Sequence, residues 1–129
     1  MKRQDVRDWV VKAEEDDEIA RTLIRKRPSS FNNGIAFHAQ QYAEKYLKAF
    51  LVSHRIAFPK THDLLQLLKL AARLDTTLEL LQPFVATLIP YAVDFRYPGE
   101  EATRAEARRA LEHMRHVRDR LRQVLKLKP

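Results

Sequence analysis

An all-α, antiparallel up-and-down bundle of about five helices is the fold this sequence predicts, and three observations predict it. Only two glycines, Gly34 and Gly99, occur in 129 residues, which leaves few places for tight hairpins. Apolar residues recur at three- and four-residue spacing through long segments. The prolines fall mostly at the joins between those segments, and the joins are short. One domain over residues 1–129 is therefore expected, burying roughly two-thirds of the unfolded chain's surface.

The first helix is expected from Gln4 to Arg25, with Val6, Trp9, Val10, Ala13, Ala20, Leu23 and Ile24 on one side. Asp16 and Asp17 interrupt that stripe. One of them either meets an arginine or histidine from another helix or lies solvated at the stripe's edge, because a lone buried charge is costly. Pro28 ends the helix, and Ser29, Ser30, Asn32, Asn33 and Gly34 provide a turn and a cap for a second helix from Gly34 to His54. Thr61 is the expected N-cap of a third, from His62 to Leu74, with Asp63 in its first turn. Thr76 or Thr77 opens a fourth, which Pro90 must kink or divide. A fifth runs from Glu100 to Leu127 on a seam of Ala107, Leu111, Met114, Leu121 and Leu125.

Composition narrows the function. The chain has no cysteine, so disulfides and thiolate metal sites are excluded. The N-terminal segment lacks a signal-peptide core and no run approaches about 18 apolar residues, which predicts a cytoplasmic protein that does not enter the membrane. With no glycine-rich loop and no metal-ligand motif, neither a cofactor nor a metal is expected. The net charge is +7, and the segment from Thr103 onward carries nine Lys or Arg against three acidic residues. Arg104, Arg108, Arg115, Arg122 and Lys126 fall within roughly 40° of one another on a helix. That basic flank would track a nucleic-acid backbone, meet an acidic partner, or simply be solvated.

The second helix carries an unusual polar load. His38, Gln41 and Lys45 share a narrow stripe, flanked by Glu44 and Lys48, beside an apolar face of Ala36, Ala39, Ala43, Tyr46, Leu47 and Phe50. His62 and Arg96 could converge on the stripe and form a basic phosphate pocket, with Tyr97 as a stacking surface. The alternative is an internal network in which buried polar groups satisfy one another, the reading that suits Glu44 and Gln41 best. Trp9, Tyr42, Tyr46 and Tyr91 are expected in the core and at interfaces.

Four signatures now stand in order: Trp9 with the A-x-x-D of Ala13 to Asp16, FHAQQYAEKYLKAFL from Phe37, THDL from Thr61, and RYP from Arg96. Together they resemble the HEPN domain family across essentially the whole chain. The resemblance implies a helical bundle, usually homodimeric, often encoded beside a minimal nucleotidyltransferase with which it forms a toxin and antitoxin pair. It implies polar roles for Gln41, Glu44, Lys45, Lys48, His62, Arg96 and Tyr97. Many members are metal-independent ribonucleases that use an Arg and a His four to six residues further on. Arg108 with His113 and Arg109 with His116 have those spacings, and the chemistry would be proton transfer by His with Arg on the charged phosphorane. Arg108 and His113 lie roughly 140° apart on a regular helix, whereas Arg109 and His116 share a face. Arg115 occupies the place where one variant of the family carries a modifiable tyrosine. The expected function is a partner of the nucleotidyltransferase that binds nucleotide or RNA, with a ribonuclease or a non-catalytic scaffold as alternatives.

Overall fold

The computed structural model describes residues 3–26, 28–93 and 97–129. Among them are five α-helices and no strand: α1 (Arg3–Ile24), α2 (Asn32–Ser53), α3 (Leu64–Ala72), α4 (Gln82–Leu88) and α5 (Arg104–Val124). The all-α bundle expected from the sequence is the observed architecture. No helix among the described residues is long and apolar enough to cross a membrane.

α2 forms the centre, packing on α1, α3 and α5. Small residues bring α1 and α2 together: Ala13, Ala20, Ala36, Ala39 and Ala43 are all fully buried, and a Cβ on Gly34 would lie 3.3 Å from Leu23. The two helices are antiparallel, since Asp16 meets Lys45 while Leu23 meets Gly34. α5 runs parallel to α2, with Arg104 on Asn32 and Arg122 on Tyr46. Tyr42, Tyr46, Phe50, Leu47, Leu64 and Met114 fill the space between, each removing about 1.5–3 kcal/mol worth of apolar surface from water.

Several boundaries differ from expectation, each for a local reason. α2 begins at Asn32, continuing a 3-10 turn over Ser29–Phe31, and has no side-chain cap. Asn32 and Asn33 instead accept hydrogen bonds from Arg104 and from the Ala102 amide, so these residues fasten the far end of the chain. α3 begins at Leu64, because Asp63 rather than Thr61 is its N-cap, accepting from the amides of Leu65 and Gln66 at 3.1 and 3.2 Å. His62 accordingly stands outside the helix. The fourth element is divided into a 3-10 turn (Thr76–Leu81), α4 and a second 3-10 turn (Ile89–Tyr91) that holds Pro90. α5 starts later than expected, at a capping box in which Thr103 accepts from the Glu106 amide and Glu106 accepts from the Thr103 amide, both at 3.0 Å. It ends where Lys126 turns to a φ of 60° and the Leu127 amide returns to the Arg122 carbonyl.

Candidate functional site

The polar stripe of α2 is built around two buried carboxylates from different helices. Asp16 of α1, 5% exposed, accepts from His38 Nδ1 at 2.7 Å on one oxygen and from Lys45 Nζ at 2.6 Å on the other. Glu44 of α2, 2% exposed, accepts from His62 Nδ1 at 2.9 Å, from Gln40 Nε2 at 3.2 Å and from Lys48 Nζ at 2.9 Å. A carboxylate only accepts, so each imidazole carries its proton on Nδ1 and keeps Nε2 for something else. The His62 ring is 65% exposed while its anchoring carboxylate is buried, which fixes the orientation of a solvent-facing nitrogen.

Gln40 and Gln41 extend the Glu44 cluster. Gln41 Nε2 donates to Gln40 Oε1, and Gln40 Nε2 also donates to the His62 carbonyl, tying the lead-in to α3 against α2. Gln40 is fully buried, and this linking role was not foreseen from the sequence. Lys48 lies beneath two aromatic rings, its Nζ 5.5 Å from the Trp9 centroid and 5.9 Å from that of Phe58. The residues for which the sequence left a basic phosphate pocket or an internal network open thus form two ion-paired clusters, with Lys48 buried rather than presented. Arg96 lies outside the described residues. Tyr97 is exposed, in the loop before α5.

Asp17 is buried beside Asp16 and pairs within its own helix, one oxygen 2.8 Å from Arg21 Nε; its Oδ1 has no hydrogen-bond partner among the described residues.

The last helix is less uniform than its sequence suggests. Arg104 turns inward and donates to the carbonyls of Ile24 and Lys26, capping the C-terminus of α1. Arg122 turns to Glu14, Tyr46 and the Lys128 carbonyl. The expected flank of aligned cations is thereby reduced, because two of its arginines serve intramolecular carbonyl and carboxylate groups. Arg108, Arg115 and Lys126 remain exposed.

Helical geometry keeps Arg109 and His116 on one face of α5 and sets Arg108 apart from His113. Arg109 and His116 are both exposed on α5, and His116 stacks on Phe84 of α4 at 4.3 Å between centroids and 11° between planes. His113 instead bonds Thr87 Oγ1 at 2.6 Å and meets the Phe84 ring edge-on, while Arg108 is exposed to solvent. Partial burial, followed by the charges of His116 and Arg109, lowers the His113 pKa below its usual value.

A third polar cluster, in which the sequence marked only Arg122 and its core tyrosines, joins α1, α2 and α5. Tyr42 donates to Glu14 Oε2 at 2.9 Å and Tyr46 donates to Glu14 Oε1, while Arg118 Nε donates to Tyr42 Oη at 2.7 Å. Burial pushes the Tyr46 hydroxyl up to about 12, its bond to Glu14 adding to the shift. Burial also raises the Glu14 carboxyl, but bonds from Tyr46 and Tyr42 and the nearby arginines outweigh it and leave the pKa lowered. The i, i+4 spacings of Tyr42 with Tyr46 and of Arg118 with Arg122 were the only sequence signal for this arrangement.

Comparison with known proteins agrees with the pattern of residues. The model of the HEPN domain family matches residues 6–124, a span that contains all three polar clusters and every helix except the first residues of α1. No curated protein and no solved structure matches the chain. With the family's model aligned over nearly its whole length and its helices assembled as an all-α bundle, the chain belongs to the HEPN domain family, and a nucleotide- or RNA-related function follows from that membership.

Proposed function

We propose that this chain is a non-catalytic HEPN subunit, homodimeric, that pairs with a minimal nucleotidyltransferase and binds nucleotide or RNA through the polar face of α2. One observation carries the reading: buried Glu44 holds the ring of a His62 that is 65% exposed. A network serving packing alone gains little by orienting a solvent-facing imidazole with a desolvated carboxylate, whereas a ligand site needs its groups held in place beforehand. Asp16 does the same for His38 and Lys45, which are partly exposed. Phosphate oxygens would accept from Lys45, and each imidazole would meet the ligand through its free Nε2.

Calorimetry with ATP, GTP and a short RNA tests this reading. Lys45→Ala and His62→Ala should each weaken binding about tenfold, with the helical content preserved. Affinity unchanged in both variants would exclude the α2 face as the site. A pull-down with the nucleotidyltransferase encoded nearest to this chain tests the pairing, and absence of a complex would remove it.

The exposure of Arg109 and His116 on one side of α5 favours a second reading, a metal-independent ribonuclease. Cleavage of a mixed RNA pool that is lost in Arg109→Ala and in His116→Ala would replace the non-catalytic assignment. Cleavage that survives both changes, or no cleavage at all, removes the catalytic role of that pair.

A further inference from the structure

We propose that Tyr42, Tyr46, Arg118 and Arg122 form an oxyanion cradle for a phosphate monoester, closed in this structure by the carboxylate of Glu14. Two helices contribute one rung each. Tyr42 and Tyr46 are one turn apart on α2, Arg118 and Arg122 one turn apart on α5, and each arginine donates to the tyrosine opposite, at 2.7 and 2.8 Å. The remaining hydroxyl protons all point to one acceptor. Glu14 Oε2 takes Tyr42, and Glu14 Oε1 takes Tyr46 and Arg122, the latter at 3.2 Å. Arg118 Nε approaches the same oxygen at 3.5 Å.

The donors and the acceptor are not equally fixed. Both tyrosines are fully buried, which locks their hydroxyls in place, and the arginine side chains are 15–19% exposed. Glu14, by contrast, is 34% exposed and is attached to the outer edge of the cluster through a flexible side chain. It is the one member that can swing to water while the others remain. A carboxylate offers two oxygens and a single charge to this array, whereas a phosphate monoester offers three terminal oxygens and up to two charges, the better match to two guanidinium groups. Asp119, 3.1 Å from Arg118 Nη1, is the other anion at the site and is well exposed. The cradle is separate from the α2 polar face, since Glu14 and Asp16 lie roughly 160° apart around α1, and it does not depend on the function proposed above.

The test uses the full chain with Glu14→Ala, inorganic phosphate and AMP as probes, and sodium chloride at matched ionic strength as the control. Phosphate and AMP should raise the melting temperature of Glu14→Ala by several degrees more than that of the unaltered chain, and bind it at least about tenfold more tightly. Adding Arg122→Met should abolish the gain, whereas Lys69→Ala, an exposed change on α3, should leave it intact. Should Glu14→Ala not fold, Glu14→Gln keeps the side-chain volume without the charge, and AMP should again bind it more tightly than the unaltered chain. Three results would overturn the assignment: phosphate acting no differently from chloride, acetate rescuing Glu14→Ala as well as phosphate does, or a gain that persists with Arg122→Met. Any of them would make the cluster a carboxylate clamp between helices.

Discussion

Replacing Glu44 by Ala should be among the most damaging single changes in this bundle, for a reason that lies in Lys48 rather than in Glu44 itself. The carboxylate is 2% exposed and Lys48 8%, and they meet at 2.9 Å. Deleting the carboxylate leaves a desolvated ammonium without its counter-ion, a change that costs about 3–5 kcal/mol in comparable buried pairs. The rings of Trp9 and Phe58, 5.5 and 5.9 Å away, still offer the ammonium about 0.5–2 kcal/mol of cation–π stabilisation. That places the loss near the lower end, at about 3 kcal/mol. For a chain of 129 residues it corresponds to a melting temperature lower by about 10 °C. Denaturant unfolding of Glu44→Ala, Lys48→Met and the double variant separates the contributions. The double variant should be more stable than Glu44→Ala, because an apolar side chain of similar length fits under the same rings without an unpaired charge. A loss below about 1 kcal/mol for Glu44→Ala, the range of exposed pairs, would refute the reasoning. So would a double variant as unstable as the sum of the single ones.

Other sites give smaller and distinct effects. Arg104→Ala removes donors to the carbonyls of Ile24 and Lys26 and should cost about 2 kcal/mol, with amide exchange accelerated first in the last turn of α1. Thr103→Ala breaks the capping box of α5 and should cost about 1 kcal/mol, whereas Thr103→Ser should retain most of it. The Glu14 carboxyl lies below its usual value of 4.5 in the folded chain, so the unfolded chain binds protons more readily; stability from this group is present above pH 4.5 and is lost as the pH falls through the folded value. Glu14→Gln should flatten that acid limb in denaturant titrations at stepped pH. At the other extreme Tyr46 is raised from 10.0 to about 12, so its contribution is complete below pH 10 and declines from there to about pH 12, a loss that Tyr46→Phe should remove.

The positions of the helices were legible because their signals are local. Apolar spacing identified each segment, Pro90 marked the division of the fourth, and the wide separation of Arg108 from His113 followed from helical geometry alone. Boundaries were less legible where two residues competed for one job. Thr61 and Asp63 both suit an N-cap, and only the backbone conformation decides for Asp63, whose extended φ and ψ aim its carboxylate at the Leu65 and Gln66 amides. Asn32 and Asn33 look like caps in sequence, but Arg104 of α5 and the Ala102 amide just before that helix arrive beside them and recruit both.

The polar residues divide along the same line. Sequence by itself determined the all-α class, the family and the face of α2 on which His38, Gln41, Lys45 and Lys48 would gather, since all of these depend on neighbours within a few turns. Tertiary structure decided what each of them does. Asp16 comes from another helix to hold His38 and Lys45, His62 comes from the lead-in to α3 to meet Glu44, and Arg104 and Arg122 leave a basic stripe to serve distant carbonyls and hydroxyls. The physical reason is that a buried charge must be satisfied by whichever group packing brings within hydrogen-bond distance, and residues 22 or 76 positions apart in the chain meet only when the helices assemble.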